Sequence, residues 1–137
     1  MRAGSGSPPI DHEAFELLRR EIDDDECCAT FLEIYLDLLP QRVSELSHAV
    51  ANGEIQPWDA AINLAATTRM IGAMPLAEHL ERLSQDSIVT RSPEAIRIYL
   101  RRLVSLTRTL QPALRQRINA LQHAQDKQWQ HRHAHRS

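Results

Sequence analysis

Apolar residues recur every three to four positions along most of this 137-residue chain, and no segment alternates apolar and polar residues over the length of a strand. The first spacing puts apolar side chains on one face of an α-helix, whereas a half-buried strand needs the second. Apolar residues make up 42% of the chain and charged residues 25%, which is typical of a globular domain with one core. The sequence therefore predicts an all-α protein.

Local signals indicate where the helices begin and end. Starts are expected at Asp11, after the acidic run over 23–26 and at Ser92, because Asp and Ser cap helix N-termini and acids favour the first turn. Ends are expected at Gly53 and Gly72, since glycine commonly follows the last helical residue. These markers divide the chain into five helices, with the second running from about residue 25 to residue 51 and the third ending at residue 71.

The prolines refine this division. Pro57, Pro75 and Pro93 suit the first turn of a helix, where the missing N–H needs no partner. Pro40 predicts a kink inside the second helix, and Pro112 a kink or a break in the fifth. The predicted layout is a flexible leader over 1–9, a helical bundle over 10–122 and a polar, His-rich, frayed tail over 123–137.

The predicted architecture is an antiparallel four-helix bundle capped by a short N-terminal helix, because four long amphipathic helices are joined by short connections. Cys27 and Cys28, the two cysteines, are expected to be small buried residues. The expected core faces are, in chain order, Phe15, Leu18, Ile22, Phe31, Ile34, Tyr35, Leu38, Leu39, Val43, Leu46, Val50, Ala60, Ala61, Leu64, Thr68, Ile71, Leu76, Leu80, Leu83, Ile96, Tyr99, Leu100, Leu103, Leu106, Leu110, Leu114, Ile118 and Leu121.

The most specific pattern is "AINLAATTRMIGAMPLAEHLERL" over 61–83. With "IDHEAFELL", "FLEIYLDLLPQRVSEL" and the "ANGE" turn before it, it resembles the histidine phosphotransfer (HPt) domain of bacterial phosphorelays over roughly residues 10–121. That family shows A-H-x-L-K-G, five further residues and then G-A-x-x-L-A. The matching positions, kept without a gap, are Ala61, Leu64, Ile71, Gly72, Ala73, Leu76 and Ala77.

Three positions depart from the family, and they are the ones that carry its chemistry. Ile62 stands where the family has its phosphorylated histidine, Ala65 replaces a lysine and Ala66 replaces a glycine. The histidine acts as a nucleophile, the lysine helps to neutralise the phosphoryl group, and the glycine leaves room for a partner. Because an isoleucine has no lone pair, the resemblance implies a non-enzymatic, histidine-less member that transfers no phosphate at this position.

The outer face of the third helix is the family's docking face. Trp and Arg are enriched among interface hot spots, and the small Ala66 still permits close approach. The resemblance therefore implies a protein-binding module of two-component signalling that docks a response-regulator receiver domain or a histidine kinase. The candidate partner-binding residues are Trp58, Ile62, Ala65, Ala66, Arg69 and Met70.

Two alternatives stay open at this point. A relocated histidine could carry the phosphate, with His79 and His48 as candidates, although His79 lies beside the fourth helix's core stripe and His48 suits a helix C-terminus. The apolar residues on the outer face of the third helix could instead mediate self-association, giving a structural homodimer. The alternating histidines of the tail lack Cys or carboxylate partners, so no metal site is predicted, and no cofactor is implied.

Composition excludes several other classes. Residues 1–60 carry 13 acids and 4 bases, net −9, whereas residues 61–137 carry 5 acids and 12 bases, net +7. Arginines outnumber lysines fifteen to one, but in the sequence they are scattered rather than clustered, so no nucleic-acid partner is predicted. No stretch approaches the ~20 apolar residues of a membrane span, and the N-terminus lacks a signal peptide's apolar run. We therefore expect no membrane association and a cytoplasmic location.

Overall fold

The computed structural model describes residues 8–53, 58–85 and 92–134, except for the side chains of residues 58, 84–85, 125 and 128–134. Within these ranges it contains five helices and no strand, which confirms the all-α prediction. The helices are α1 (His12–Ile22), α2 (Asp25–Ala51), α3 (Trp58–Met70), α4 (Met74–Gln85) and α5 (Pro93–Ala134). Most of the predicted leader, the end of the "ANGE" turn and Pro57 lie outside the described residues.

The predicted helix starts are confirmed by side-chain caps. The Asp11 carboxylate accepts a hydrogen bond from the Ala14 N–H at 3.0 Å. The Asp24 carboxylate accepts from the N–H groups two and three residues further on, at 2.9 and 3.1 Å. The Ser92 hydroxyl accepts from the Ala95 N–H at 3.2 Å. Each cap satisfies N–H groups that a helix leaves without an internal partner, so these starts follow from the local sequence.

Gly72 lies in the turn that follows α3 and contacts the start of α1. Its φ of 89° lies in the left-handed region, which favours glycine. A Cβ on this residue would lie 2.7 Å from the Asp11 carbonyl oxygen and 3.2 Å from the Phe15 nitrogen. The Asp11 N–H also donates to the Gly72 carbonyl at 2.7 Å. The N-terminus of α1 therefore packs directly against the turn between α3 and α4.

The internal prolines do not end their helices. α2 continues through Pro40 and α5 continues through Pro112. Buried residues on both sides of Pro112, among them Leu110 and Leu114, hold α5 to the core, so the loss of one hydrogen bond does not break it. No glycine or proline follows Pro112. The expectation of a break at Pro112 is thus wrong. The expectation of a frayed segment from residue 123 is also wrong for the residues up to Ala134, because α5 continues to that residue.

Most of the expected core residues are buried, but four predictions are wrong. Ile34 and Leu38 are 55% and 39% exposed. They lie at the edge of the apolar face of α2, where it borders α3, rather than at its centre. Ala60 and Cys27 are also exposed, because each is one residue, and therefore about 100° around the helix, from a buried neighbour. Cys28, the neighbour of Cys27, is fully buried as expected.

The helices share one hydrophobic core. α2 packs against α3 and α5, α4 packs against the same two helices, and α1 rests on α2 and α3. Within the part of the chain that the structure describes, α3 and α5 do not pack against each other. The solvent faces of α3 and α5 therefore point to different sides of the molecule.

Candidate functional site

The solvent face of α3 contains most of the residues predicted to bind a partner. Ile62 and Met70 are 47% and 51% exposed, and Ala66 and Arg69 are exposed between them. Ala65 is 1% exposed and belongs to the core cluster, so its assignment to the partner-binding face is wrong. Ala65 lies on the side of α3 that packs against the core. The sequence pattern alone did not distinguish this side from the adjacent solvent-exposed face.

Trp58 was the aromatic candidate for this face. It is the first residue of α3, so its backbone is on the helix, but its side chain lies outside the described residues. The face, as the structure describes it, therefore rests on Ile62, Ala66, Arg69 and Met70.

Arg69 does not extend freely from this face. Its guanidinium makes two hydrogen bonds to the Glu81 carboxylate, at 2.7 and 3.0 Å, and contacts the Met74 sulfur at 3.5 Å. The hydrogen bond to Glu81 raises the pKa of Arg69, since it favours the charged form. A paired, bidentate guanidinium is held in one orientation. Arg69 thus fixes the α4 border of the face, and a partner would have to compete with Glu81 for it.

An apolar groove forms the other border, between α2 and α3. It encloses about 290 Å³. Ile34 and Leu38, which the sequence pattern assigned to the core, are part of its wall. Their repeat of four residues was the available signal, but a repeat does not say whether a neighbouring helix covers the side chains. The lining residues are Phe31, Ile34, Tyr35, Leu38, Arg42, Asn63, Leu64 and Thr67.

The groove floor is closed by a buried hydrogen bond between α2 and α3. The hydroxyl groups of Tyr35 and Thr68 lie 2.7 Å apart, and both residues are at least 94% buried. Burial raises the pKa of Tyr35 to about 12, because the phenolate would be desolvated. Tyr35 therefore stays neutral and holds the two helices at a fixed separation beneath the groove.

The positions that match the HPt pattern divide sharply from those that do not. Every matching position is buried: Ala61, Leu64, Ile71, Gly72, Ala73, Leu76 and Ala77. Of the three that depart, Ile62 and Ala66 are exposed and Ala65 is buried. The residues that match the pattern are thus packing residues, and two of the three that depart from it are on the surface.

His79, one of the two alternative phosphate acceptors, is 5% exposed. Its Nε2 lies 2.9 Å from the Tyr99 carbonyl oxygen, and its ring stacks on the Tyr99 ring with 4.0 Å between centroids. A carbonyl only accepts, so Nε2 carries the proton and the lone pair of the neutral ring is on Nδ1. Because the side chain is buried, a phosphorylated partner would have little access to that nitrogen. Desolvation lowers the pKa of His79, with Arg82 and Arg102 acting in the same direction. This environment is that of a packed core histidine.

His48 differs from His79 because it is exposed, in the last turn of α2. It is the accessible member of the pair, but it lies on a different helix from the candidate face. His12, at the start of α1, accepts a hydrogen bond from the Arg117 guanidinium at its Nδ1, at 3.1 Å. The described residues contain no group of three or more His, Cys, Asp or Glu side chains placed to hold a metal ion.

Ile62, Ala66 and Met70 provide aliphatic, methyl and thioether groups on the α3 face. No described helix is long and apolar enough to cross a membrane. Comparison of the chain with protein-family models, with curated proteins and with solved structures finds no match.

Proposed function

We propose that this chain is a non-catalytic, HPt-like binding module of a two-component phosphorelay. In this proposal the helices form a four-helix bundle with α1 as a cap, and the α3 face docks a receiver domain or a histidine kinase in the cytoplasm. The observation that carries the proposal is the exposure of Ile62, at 47%, at the position where the family presents its phosphorylated histidine.

The packing supports the bundle. α2, α3, α4 and α5 each pack against two of the other three, and the two pairs that lie across from each other do not pack within the described residues. Four helices around one core have this contact pattern. The positions that match the HPt pattern are buried where α3 and α4 pack against each other, and the α1 N-terminus packs against Gly72.

The exposed apolar surface supports docking. The described residues include seven large apolar side chains that are exposed, and four of them, Ile34, Leu38, Ile62 and Met70, lie on α2 or α3. Fully burying one such side chain contributes about 1.5–3 kcal/mol, and a half-exposed one contributes about half of that. Covering these four would provide several kcal/mol, which is enough to decide whether a partner binds.

The chemistry supports binding without phosphotransfer. Ile62 has no lone pair, and the His79 side chain is buried with its Nε2–H donated to the Tyr99 carbonyl, so its ring is poorly accessible to a phosphorylated partner. A protein that covers the receiver's docking surface without accepting phosphate would compete with true phosphotransfer or assemble a complex. Neither role requires a cofactor or a metal.

The test measures binding of the purified chain to the receiver domains and histidine kinases of the source organism, one at a time, by titration calorimetry. Ile62→Glu is the test variant and Ile98→Glu is its control, because Ile98 is 56% exposed on α5, away from the face. We expect one partner to bind the wild type and the control equally, and to bind Ile62→Glu at least tenfold more weakly, since the new carboxylate would be desolvated.

Equal affinity of wild type and Ile62→Glu for every partner, with helicity unchanged by circular dichroism, would contradict the docking face. Incubation with a phosphorylated receiver tests the phosphotransfer alternative, and label on the wild type that His48→Ala removes would replace our proposal by that one. Light scattering over a range of concentrations tests self-association. A mass that doubles for the wild type and not for Ile62→Glu would assign the face to a second copy of the chain.

A further inference from the structure

α5 carries an unbalanced positive charge. Between residues 95 and 125 the sequence has six arginines and neither aspartate nor glutamate. In the sequence these arginines look scattered, but most of their side chains are exposed along one continuous helix. The helix therefore presents cations to solvent over most of its described length.

Four of these arginines lie on one line. A helix turns about 100° per residue, so Arg97, Arg101, Arg108 and Arg115 fall within an arc of about 40°. We call these four residues the arginine row. All four are exposed, and Val104, 37% exposed, lies among them on the same side. At about 1.5 Å of rise per residue the row is about 27 Å long, with its last three members about 10.5 Å apart.

Within the part of the chain that the structure describes, few carboxylates pair with the arginines of the row. Arg97 pairs with Glu94 at 2.9 Å, one turn earlier on α5. Arg101, Arg108 and Arg115 pair with no carboxylate among the described residues, in contrast to Arg19 and Arg69, which pair with Asp25 and Glu81. Three of the four members of the row thus lie on one helix face without a paired carboxylate among the described residues.

We propose that the arginine row docks an acidic helix of a partner protein. A guanidinium prefers a carboxylate, with which it forms two parallel hydrogen bonds. Carboxylates that repeat every seven residues on a helix are also about 10.5 Å apart along its axis, so their spacing matches that of Arg101, Arg108 and Arg115. Val104 supplies an apolar contact in the middle of the row.

Other polyanions fit the row less well. The last three arginines span about 21 Å along one face of α5, whereas over that length a strand of B-DNA turns through more than half of its helical repeat. Single-stranded nucleic acid is usually held by aromatic stacking, and the α5 face carries Val104 and Gln111 between the arginines instead of aromatic residues. The row of a second copy would repel this one.

The row and the α3 face are separate surfaces. α3 and α5 do not pack against each other in the described residues, so their solvent faces point to different sides. One partner can therefore occupy the row while another occupies the α3 face. The inference is independent of the proposed function, since it uses no residue of that face.

The test uses the full chain and two fluorescent helical peptides of identical composition. One carries glutamates in a single line with a seven-residue repeat, and the other distributes the same glutamates around the helix. The variant Arg101→Gln/Arg108→Gln removes two members of the row. The control Arg20→Gln/Arg102→Gln removes the same charge from exposed positions outside the row. Fluorescence anisotropy is measured at low and at physiological ionic strength.

We expect the wild type and the control to bind the aligned peptide at least fivefold more tightly than the distributed one. We expect the row variant to lose at least tenfold for the aligned peptide, with unchanged circular dichroism. Equal affinity for both peptides, equal loss in the control, or no binding by the wild type would overturn the inference. So would tighter binding of a 20-base-pair DNA duplex, or a dimer that the row variant abolishes.

Discussion

His79 and Tyr99 exchange two hydrogen bonds across the interface of α4 and α5. The His79 Nε2–H donates to the Tyr99 carbonyl at 2.9 Å, and the Tyr99 hydroxyl donates to the His79 carbonyl at 2.9 Å. Their rings stack with 15° between planes. Each buried polar side chain thus donates a hydrogen bond to the backbone carbonyl of the other residue. Burial raises the pKa of Tyr99, so its hydroxyl stays protonated and remains a donor.

We expect this pair to make stability depend on pH. Desolvation lowers the pKa of folded His79 below its ordinary value of 6.5. Below that value the unfolded chain binds a proton that the folded protein excludes, so the free energy of unfolding falls as the pH is lowered, by at most about 1.4 kcal/mol per pH unit. The contribution is complete above 6.5 and is lost as the pH falls toward the folded pKa.

Urea denaturation between about pH 7.5 and about pH 5.5 measures this dependence. His79→Gln is the control, because it removes the titrating group and keeps an N–H donor. The wild type should lose more stability than the variant over that interval, because every other titratable group is the same in both proteins. Parallel pH profiles would show that burial of His79 does not disfavour its protonation.

Substitution of the two turn glycines separates backbone strain from crowding. Gly53 has φ of 69° with open space around a Cβ, and Gly72 has φ of 89° with the Asp11 carbonyl 2.7 Å from it. Gly53→Ala should cost about 1–2 kcal/mol for the left-handed conformation alone. Gly72→Ala should cost at least about 2 kcal/mol more, because α1 must shift. Urea denaturation of both variants provides the comparison. Equal losses in the free energy of unfolding would mean that α1 can shift away from residue 72 at no cost.

A lysine at position 65, where the HPt pattern has one, should destabilise the fold. Ala65 is 1% exposed, so Ala65→Lys would bury an ammonium group, and we expect a loss of about 2–3 kcal/mol. Ala66→Lys adds the same side chain at the exposed neighbouring position and should change stability by less than about 0.5 kcal/mol. Thermal and urea denaturation measure both. Similar stabilities would show that a lysine at position 65 reaches solvent without disturbing the core.

The hydroxyl pair between α2 and α3 should act as a unit. Tyr35→Phe and Thr68→Val each leave one buried hydroxyl without its partner at 2.7 Å, and each should cost about 1–3 kcal/mol. The double variant removes both hydroxyls, so its loss should be smaller than the sum of the two. A double-mutant cycle from urea denaturation checks this. Additive losses would mean that the two groups do not depend on each other.

The local sequence determined the helices, because their signals act within a few residues. Asp11, Asp24 and Ser92 cap N–H groups next to them, and Gly53 takes the left-handed turn that ends α2. The resemblance to the HPt pattern, with Ile62 at the position of its histidine, also comes from the sequence alone. These features need no knowledge of how one helix packs on another.

Only the tertiary structure decided which periodic residues are covered. Ile34 and Leu38 continue an apolar repeat but border a groove, whereas Ala65 enters the core beside the exposed Ala66. The reason is that a helical repeat fixes the angle of a side chain around its own helix, whereas burial depends on where the neighbouring helices lie. Likewise the arginines of α5 look scattered in the sequence, and they form a row only because one unbroken helix carries them through Pro112.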